Sequence, residues 1–198
     1  MRRPDVLFSC RALFAVTALS LILPAAVWAG SIRILDAELS PQQDGFLLRA
    51  DSDIELNATI ERGLQSGVPL YFNVDVDLFQ QRRFWWDRHI LEVRRRYSLV
   101  YYELTRHYRI SALGLDQTRN FRSLLDALDY LGTIRDLPIG STQEHLLDGR
   151  LPLQPQLHYR AALNIALDVG ALPLALRPQA LVSSAWRLRS EEYHWRVD

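Results

Sequence analysis

The 198-residue chain contains no lysine; all 23 of its basic residues are arginine. That excludes a Schiff-base lysine, a phosphate-loop lysine and a Ser-x-x-Lys nucleophile. Cysteine is nearly absent as well. Cys10 is the only one, so everything after it lacks disulfides, thiolate metal sites and thiol nucleophiles. The nine glycines are scattered at expected turns and form no phosphate-cradling loop. The five histidines (His89, His107, His145, His158 and His194) include no pair four residues apart, and HExxH and GxSxG are both missing. The reading therefore leans away from an enzyme, with no catalytic residue, metal or cofactor assigned.

Long apolar runs are also scarce. There is one, Ala12–Leu23, behind a basic front of Arg2, Arg3 and Arg11. Pro24 follows, and Val27-Trp28-Ala29 supplies the end of a secretory signal peptide, with cleavage expected after Ala29. The run is short for a spanning helix, which needs ~20 residues. The expectation is export to the periplasm; the alternative is an uncleaved signal that anchors the chain in the inner membrane. Residues 30–198 then form one domain, large enough for its own core. They carry 20 arginines against 22 carboxylates, a net charge of −2.

What is present is period-two alternation. In Gly67–Ile110, Leu70, Phe72, Val74, Val76 and Leu78 alternate with Asn73, Asp75 and Asp77, and Leu91, Val93, Tyr97, Leu99 and Tyr101 alternate in the return run. Such spacing puts the two sets on opposite faces of a strand and predicts a long antiparallel hairpin. Centring the turn between Trp85 and Trp86 would place Asp77 opposite Arg94 and Asp75 opposite Arg96, with Arg95 pointing inward opposite Val76. A bulge or an open rim would accommodate that arginine. Tyr108–Ile110 extends the hairpin to a meander.

Further strands are expected at Ser31–Leu39, Phe46–Ala50, Ile134–Ile139 and Tyr159–Leu167, with a last hairpin over Trp186–Val197. A helix is expected from the capping box Ser52-Asp53-Ile54-Glu55 through Leu64, with Gly67 as its left-handed cap. A second carries Phe121, Leu124, Leu125, Leu128 and Leu131 on one face, capped by Thr118 or Asn120. Ser141–Glu144 opens a short helix and Pro178 a helical turn. With no βαβ alternation, the fold class is α+β and mainly β. The architecture is an antiparallel meander sheet, curled or sandwich-like, with two main helices packed at one face or end.

The paired carboxylates Asp51/Asp53, Asp75/Asp77 and Asp126/Asp129 read as a helix start, cross-strand partners of arginine and a solvated helix face. The one candidate surface is basic and aromatic: Arg82, Arg83, Phe84, Trp85, Trp86, Arg88, Arg94 and Arg96. In a cytosolic chain that mixture would suggest nucleic acid; in an exported one it points to a membrane surface or an acidic partner, with Trp as an interfacial anchor. The competing reading makes the rings core, with arginine stems lying over them.

Several segments resemble an exported proteobacterial family, domain of unknown function 4390. They are LQSGVPLYF at Leu64–Phe72, RFWWD at Arg83–Asp87, RYSLVYYEL at Arg96–Leu104, Tyr108–Ile110, Leu167-Asp168 with Leu172-Pro173-Leu174, and Trp186–Trp195. The resemblance implies no known activity and no catalytic residues; it implies an accessory role near a membrane sensor kinase. The expected function is a non-catalytic interaction domain. The alternative is a module binding an anionic or amphipathic small ligand in a cavity near Tyr97, Leu99 and Tyr101.

Overall fold

A computed structural model describes residues 30–42, 45–82, 85–114, 117–139 and 158–197. The order is β1 (Ser31–Gln42), β2 (Gly45–Glu55), α1 (Ala58–Gln65), β3 (Leu70–Gln80), β4 (Arg88–Tyr102), β5 (His107–Ala112) and β6 (Gln117–Phe121). Then come α2 (Leu124–Gly132), β7 (Thr133–Ile139), β8 (Tyr159–Leu167), α3 (Arg177–Val182) and β9 (Tyr193–Val197). Two antiparallel sheets result, β1-β2-β7 and β6-β5-β4-β3-β8-β9. The class is α+β, mainly β, and the sheets are not closed into a barrel.

Period two decides the layering. The even residues Leu70, Phe72, Val74, Val76 and Leu78 of β3 are all buried, as are Ala161, Leu163, Ile165 and Leu167 of β8. They meet Ile32, Leu39, Phe46, Leu48 and Ile54 of the smaller sheet in one apolar cluster. Helix α2 touches β2, β5, β6 and β7, so it bridges the two sheets along one side. Its buried Ala127, Leu128 and Leu131 carry that contact.

The hairpin register differs from expectation by two residues. Leu70 pairs with Leu99 and Asp75 with Arg94, while Asp77 faces Glu92 and Asn73 faces Arg96. A two-residue shift keeps every side chain on its expected face. The cause is a bulge at Leu78/Phe79, where Ile90 and Leu91 are both buried, combined with a seven-residue connection Gln81–Asp87. Arg95 does point inward, now opposite Val74, and the open rim accommodates it: its Nη2 donates to the Pro138 carbonyl at 3.3 Å.

Helix starts also move. The strand β2 runs on to Glu55, so the expected capping box is not a cap. Asp51 and Asp53 instead pair with Arg135 (2.9 Å) and Arg33 (2.7 Å) across the sheet. The N-cap of α1 is Asn57, whose Oδ1 accepts from the Thr59 and Ile60 amides at 3.0 Å, while Nδ2 donates to the Ala185 carbonyl. Gly67 does end α1 as a left-handed residue with φ +82°. The Val68 amide reaches the Gly63 carbonyl and the Gly67 amide that of Leu64, which is a Schellman closure. The cap of α2 is Ser123 and not Thr118 or Asn120, because those two lie within the strand Gln117–Phe121. At the C-terminal side only Tyr193–Val197 is a strand; Trp186 sits on a 3-10 turn, and Arg189 makes a single bridge to Ala166. The helix expected at Ser141–Glu144 lies outside the described residues.

Candidate interaction surface

The β3–β4 connection is the most exposed apolar feature of the main hairpin. Trp85 is 76 % exposed and Trp86 91 %, against 6 % for Trp186 in the core. Arg82 beside them is exposed and Arg88 half-buried. Arg83 and Phe84 lie outside the described residues. The reading of these two tryptophans as core is therefore overturned.

A chain of contacts fixes where the connection leaves the sheet. Gln81 donates its amide to the His158 carbonyl at 2.9 Å. Asp87, next after Trp86, pairs with Arg160 of β8 at 2.9 Å. The Arg160 guanidinium also lies 5.5 Å from the Phe79 ring centre, and Phe79 stacks on His89 at 4.7 Å. His89 Nε2 meets Asp77 Oδ1 at 2.6 Å. Asp77 thus replaces the arginine expected opposite it with a histidine from beyond the bulge. Burial pushes the Asp77 carboxyl above its usual range, and the His89 hydrogen bond opposes that without cancelling it.

The eight predicted residues do not form one patch. Arg82, Trp85, Trp86 and Arg88 share the tip. Arg94 and Arg96 lie further along β4, on the outer face; six residue steps of strand, roughly 20 Å, separate Arg88 from Arg94. Both are held by the sheet. Arg94 Nε donates to Asp75 at 2.5 Å, and that contact holds its guanidinium more firmly protonated than usual. Arg96 bridges Asn73 (3.0 Å) and Asp168 (2.8 Å), tying β4 to β3 and to the end of β8. They are cross-strand ties and leave the tip as the candidate surface.

Two residues of the site escaped the sequence reading, Arg160 and Asp87. Their alliance ties the β3–β4 connection to β8, and the two residues are 73 positions apart in the chain. The aromatic at position 79 followed by an arginine on a later alternating strand gives no local signal.

Other concave regions are different in kind. A cleft of about 310 Å³ is lined by Tyr97, Tyr130, Leu131, Ile134 and Leu137 at the rim between β7 and the larger sheet. Leu99 is fully buried instead of lining it, and Tyr101 packs on Tyr108 at 4.8 Å. The cavity anticipated from Tyr97, Leu99 and Tyr101 is therefore not formed by those three together. A polar groove on the outer face holds Asp75, Asp77, Glu92, Arg94, Asn164, Arg189, Ser190 and Glu192. Three of its carboxylates are engaged: Asp75 with Arg94, Asp77 with His89, and Glu192 with His194 at 3.5 Å. Ser190 Oγ accepts the Ile165 amide at 3.0 Å and is buried. Among the described residues no three His, Cys, Asp or Glu side chains gather in a way that would hold a metal ion. Among them, too, no helix is long and apolar enough to cross a membrane.

Comparison with known proteins adds one positive result. No curated protein and no solved structure matches the chain. A protein-family model described as Domain of unknown function (DUF4390) matches residues 29–196. That match spans both sheets, the three described helices and the Trp-bearing tip, so the chain belongs to the DUF4390 family.

Proposed function

We propose that this chain is a non-catalytic interaction domain of the bacterial cell envelope, exported to the periplasm, which makes contact through the tip of its β3–β4 hairpin. The observation that carries the reading is the exposure of two adjacent indoles on a connection clamped from behind. Two free tryptophans cost solubility and add nothing to the core, so their position calls for a surface to cover them. The clamp matters because a pre-set loop loses less entropy on contact than a free one. The Asp87–Arg160 pair and the Phe79–His89 stack supply that pre-setting. An accessory role beside a membrane sensor kinase, implied by the family resemblance, suits a domain that presents one end to its neighbours.

The test is photo-crosslinking in living cells from a reactive residue at position 86, with the exposed Val182 of α3 as the control position. Adducts are expected from 86 and not from 182. Absence of any adduct from 86, with the protein properly expressed, would sink the reading.

A further inference from the structure

We infer that the surface covering this tip is an anionic lipid bilayer, with the indoles at the level of the headgroups and the surrounding arginines against phosphate. The inference rests on the proposed reading of the tip as the contact element and names what it contacts. Arg83 and Phe84 play no part in it.

The first argument is shape. Trp85 and Trp86 are adjacent and exposed in the β3–β4 connection and line none of the clefts described above. Protein hot spots sit inside an apolar, water-excluding ring. Among the described residues, those beside the two indoles are Gln81, Arg82, Asp87 and Arg88, with His158 across the hydrogen bond from Gln81, and these are polar. Indole edged by guanidinium is the composition of a membrane interface, where the ring is half in the apolar layer and its N–H and the cation meet the headgroups.

The second argument is charge. The chain from Gly30 onward is slightly acidic, yet the described residues of this end are mainly basic. Arg82 and Arg88 flank the tip, and Arg160 and Arg196 pair directly across β8 and β9 one step behind it. Among the described residues here the carboxylate is Asp87, and it is tied to Arg160. Guanidinium forks match phosphate oxygens, and cations held within a Debye length of an anionic leaflet are attracted to it. Local sign, not net charge, decides such an encounter, because screening limits each charge to about 10 Å.

The third argument is position. A Cβ on Gly30 would lie 3.2 Å from the Leu188 side chain, and the Leu188 carbonyl accepts the Leu167 amide at 2.8 Å. Leu167 pairs with Phe72, whereas Tyr159 pairs with Gln80 at the tip. The eight residue steps from Phe72 to Gln80 make roughly 26 Å of strand. The chain therefore enters the domain at the end remote from the tip.

The test uses residues 30–198, which hold every residue of the described core. Vesicles of phosphatidylethanolamine with phosphatidylglycerol are compared with neutral phosphatidylcholine vesicles, reading sedimentation and quenching of indole emission by brominated acyl chains. Binding to the anionic vesicles is expected to be quenched on contact, to weaken with salt, and to fall by about tenfold or more in the Trp85→Ala/Trp86→Ala variant. Arg82→Glu is expected to weaken it several-fold while leaving the fold intact. No binding, or equal binding by wild type and double variant, overturns the inference. If position 86 nonetheless captures a protein in cells, the tip remains a contact element and only its lipid partner is refuted. If it captures nothing, both fall.

Discussion

Replacing Trp186 with alanine is expected to cost the fold about 3–5 kcal/mol, while replacing Trp85 and Trp86 together costs nothing measurable. The three residues are chemically identical and differ in surroundings. Trp186 is buried, and its ring lies so close to α1 that a Cβ on Gly63 would sit 2.9 Å from it. Its neighbour Ala185 gives its carbonyl to the Asn57 cap. Truncation therefore leaves a cavity under α1 and loosens the turn that satisfies the cap. The tip indoles lose almost no burial on truncation. For a chain of this size the Trp186→Ala loss corresponds to a fall in Tm of roughly 10 °C. Thermal unfolding followed by far-ultraviolet circular dichroism separates the two cases without relying on indole emission. Should the tip variant melt as early as Trp186→Ala, those rings are part of the core and the interaction reading loses its basis.

A second large effect is expected at Gly132→Ala, about 3 kcal/mol or more of lost stability. A Cβ there would stand 2.2 Å from the Ser52 carbonyl oxygen and 3.2 Å from its carbon. Neither is a flexible side chain. Ser52 lies within β2, which is paired on one side with β1 and on the other with β7, so its backbone cannot step back. The Ser52 hydroxyl also donates to the Gly132 carbonyl at 2.9 Å, holding the end of α2 against the strand. Gly67→Ala is the control. Its φ of +82° is unfavourable for a side chain, but nothing lies within 4 Å of its Cβ. That change is expected to cost only about 1–2 kcal/mol. Urea midpoints for the two variants check the ordering. Equal losses would mean that backbone conformation, not contact with Ser52, governs Gly132.

The strands were legible in the sequence because one buried face imposes strict alternation, and β3 and β8 obey it without exception on the inner side. The register was not. The charge pattern Asp75, Asp77, Arg94 and Arg96 admits two pairings that keep the same faces, and the length of the connection together with the bulge at Leu78/Phe79 chooses between them. Bulges add a residue without a mark in the composition. The start of α1 was misplaced because Ser52–Glu55 satisfies a local capping rule, whereas cross-sheet pairing with β1 keeps those residues extended. Asn57 does the capping, and its second bond, to Ala185, comes from 128 residues away. The inward Arg95 was legible as a misfit, and the rim carbonyl of Pro138 explains it. The tip is the reverse case. Its composition was conspicuous, but exposure depends on the length of the connection and on the Asp87–Arg160 tie, which spans three strands.

The account stands on the tip being free in the isolated protein and covered in the envelope. Because the chain from Gly30 onward has no cysteine, a single thiol introduced as Arg82→Cys reports on that spot alone. A bulky, water-soluble maleimide is applied to purified protein and to envelope preparations carrying the same variant. The account predicts fast labelling of the purified protein, strong protection in the envelope, and loss of that protection when Trp85→Ala/Trp86→Ala is added. Equal labelling rates in the two settings would contradict it.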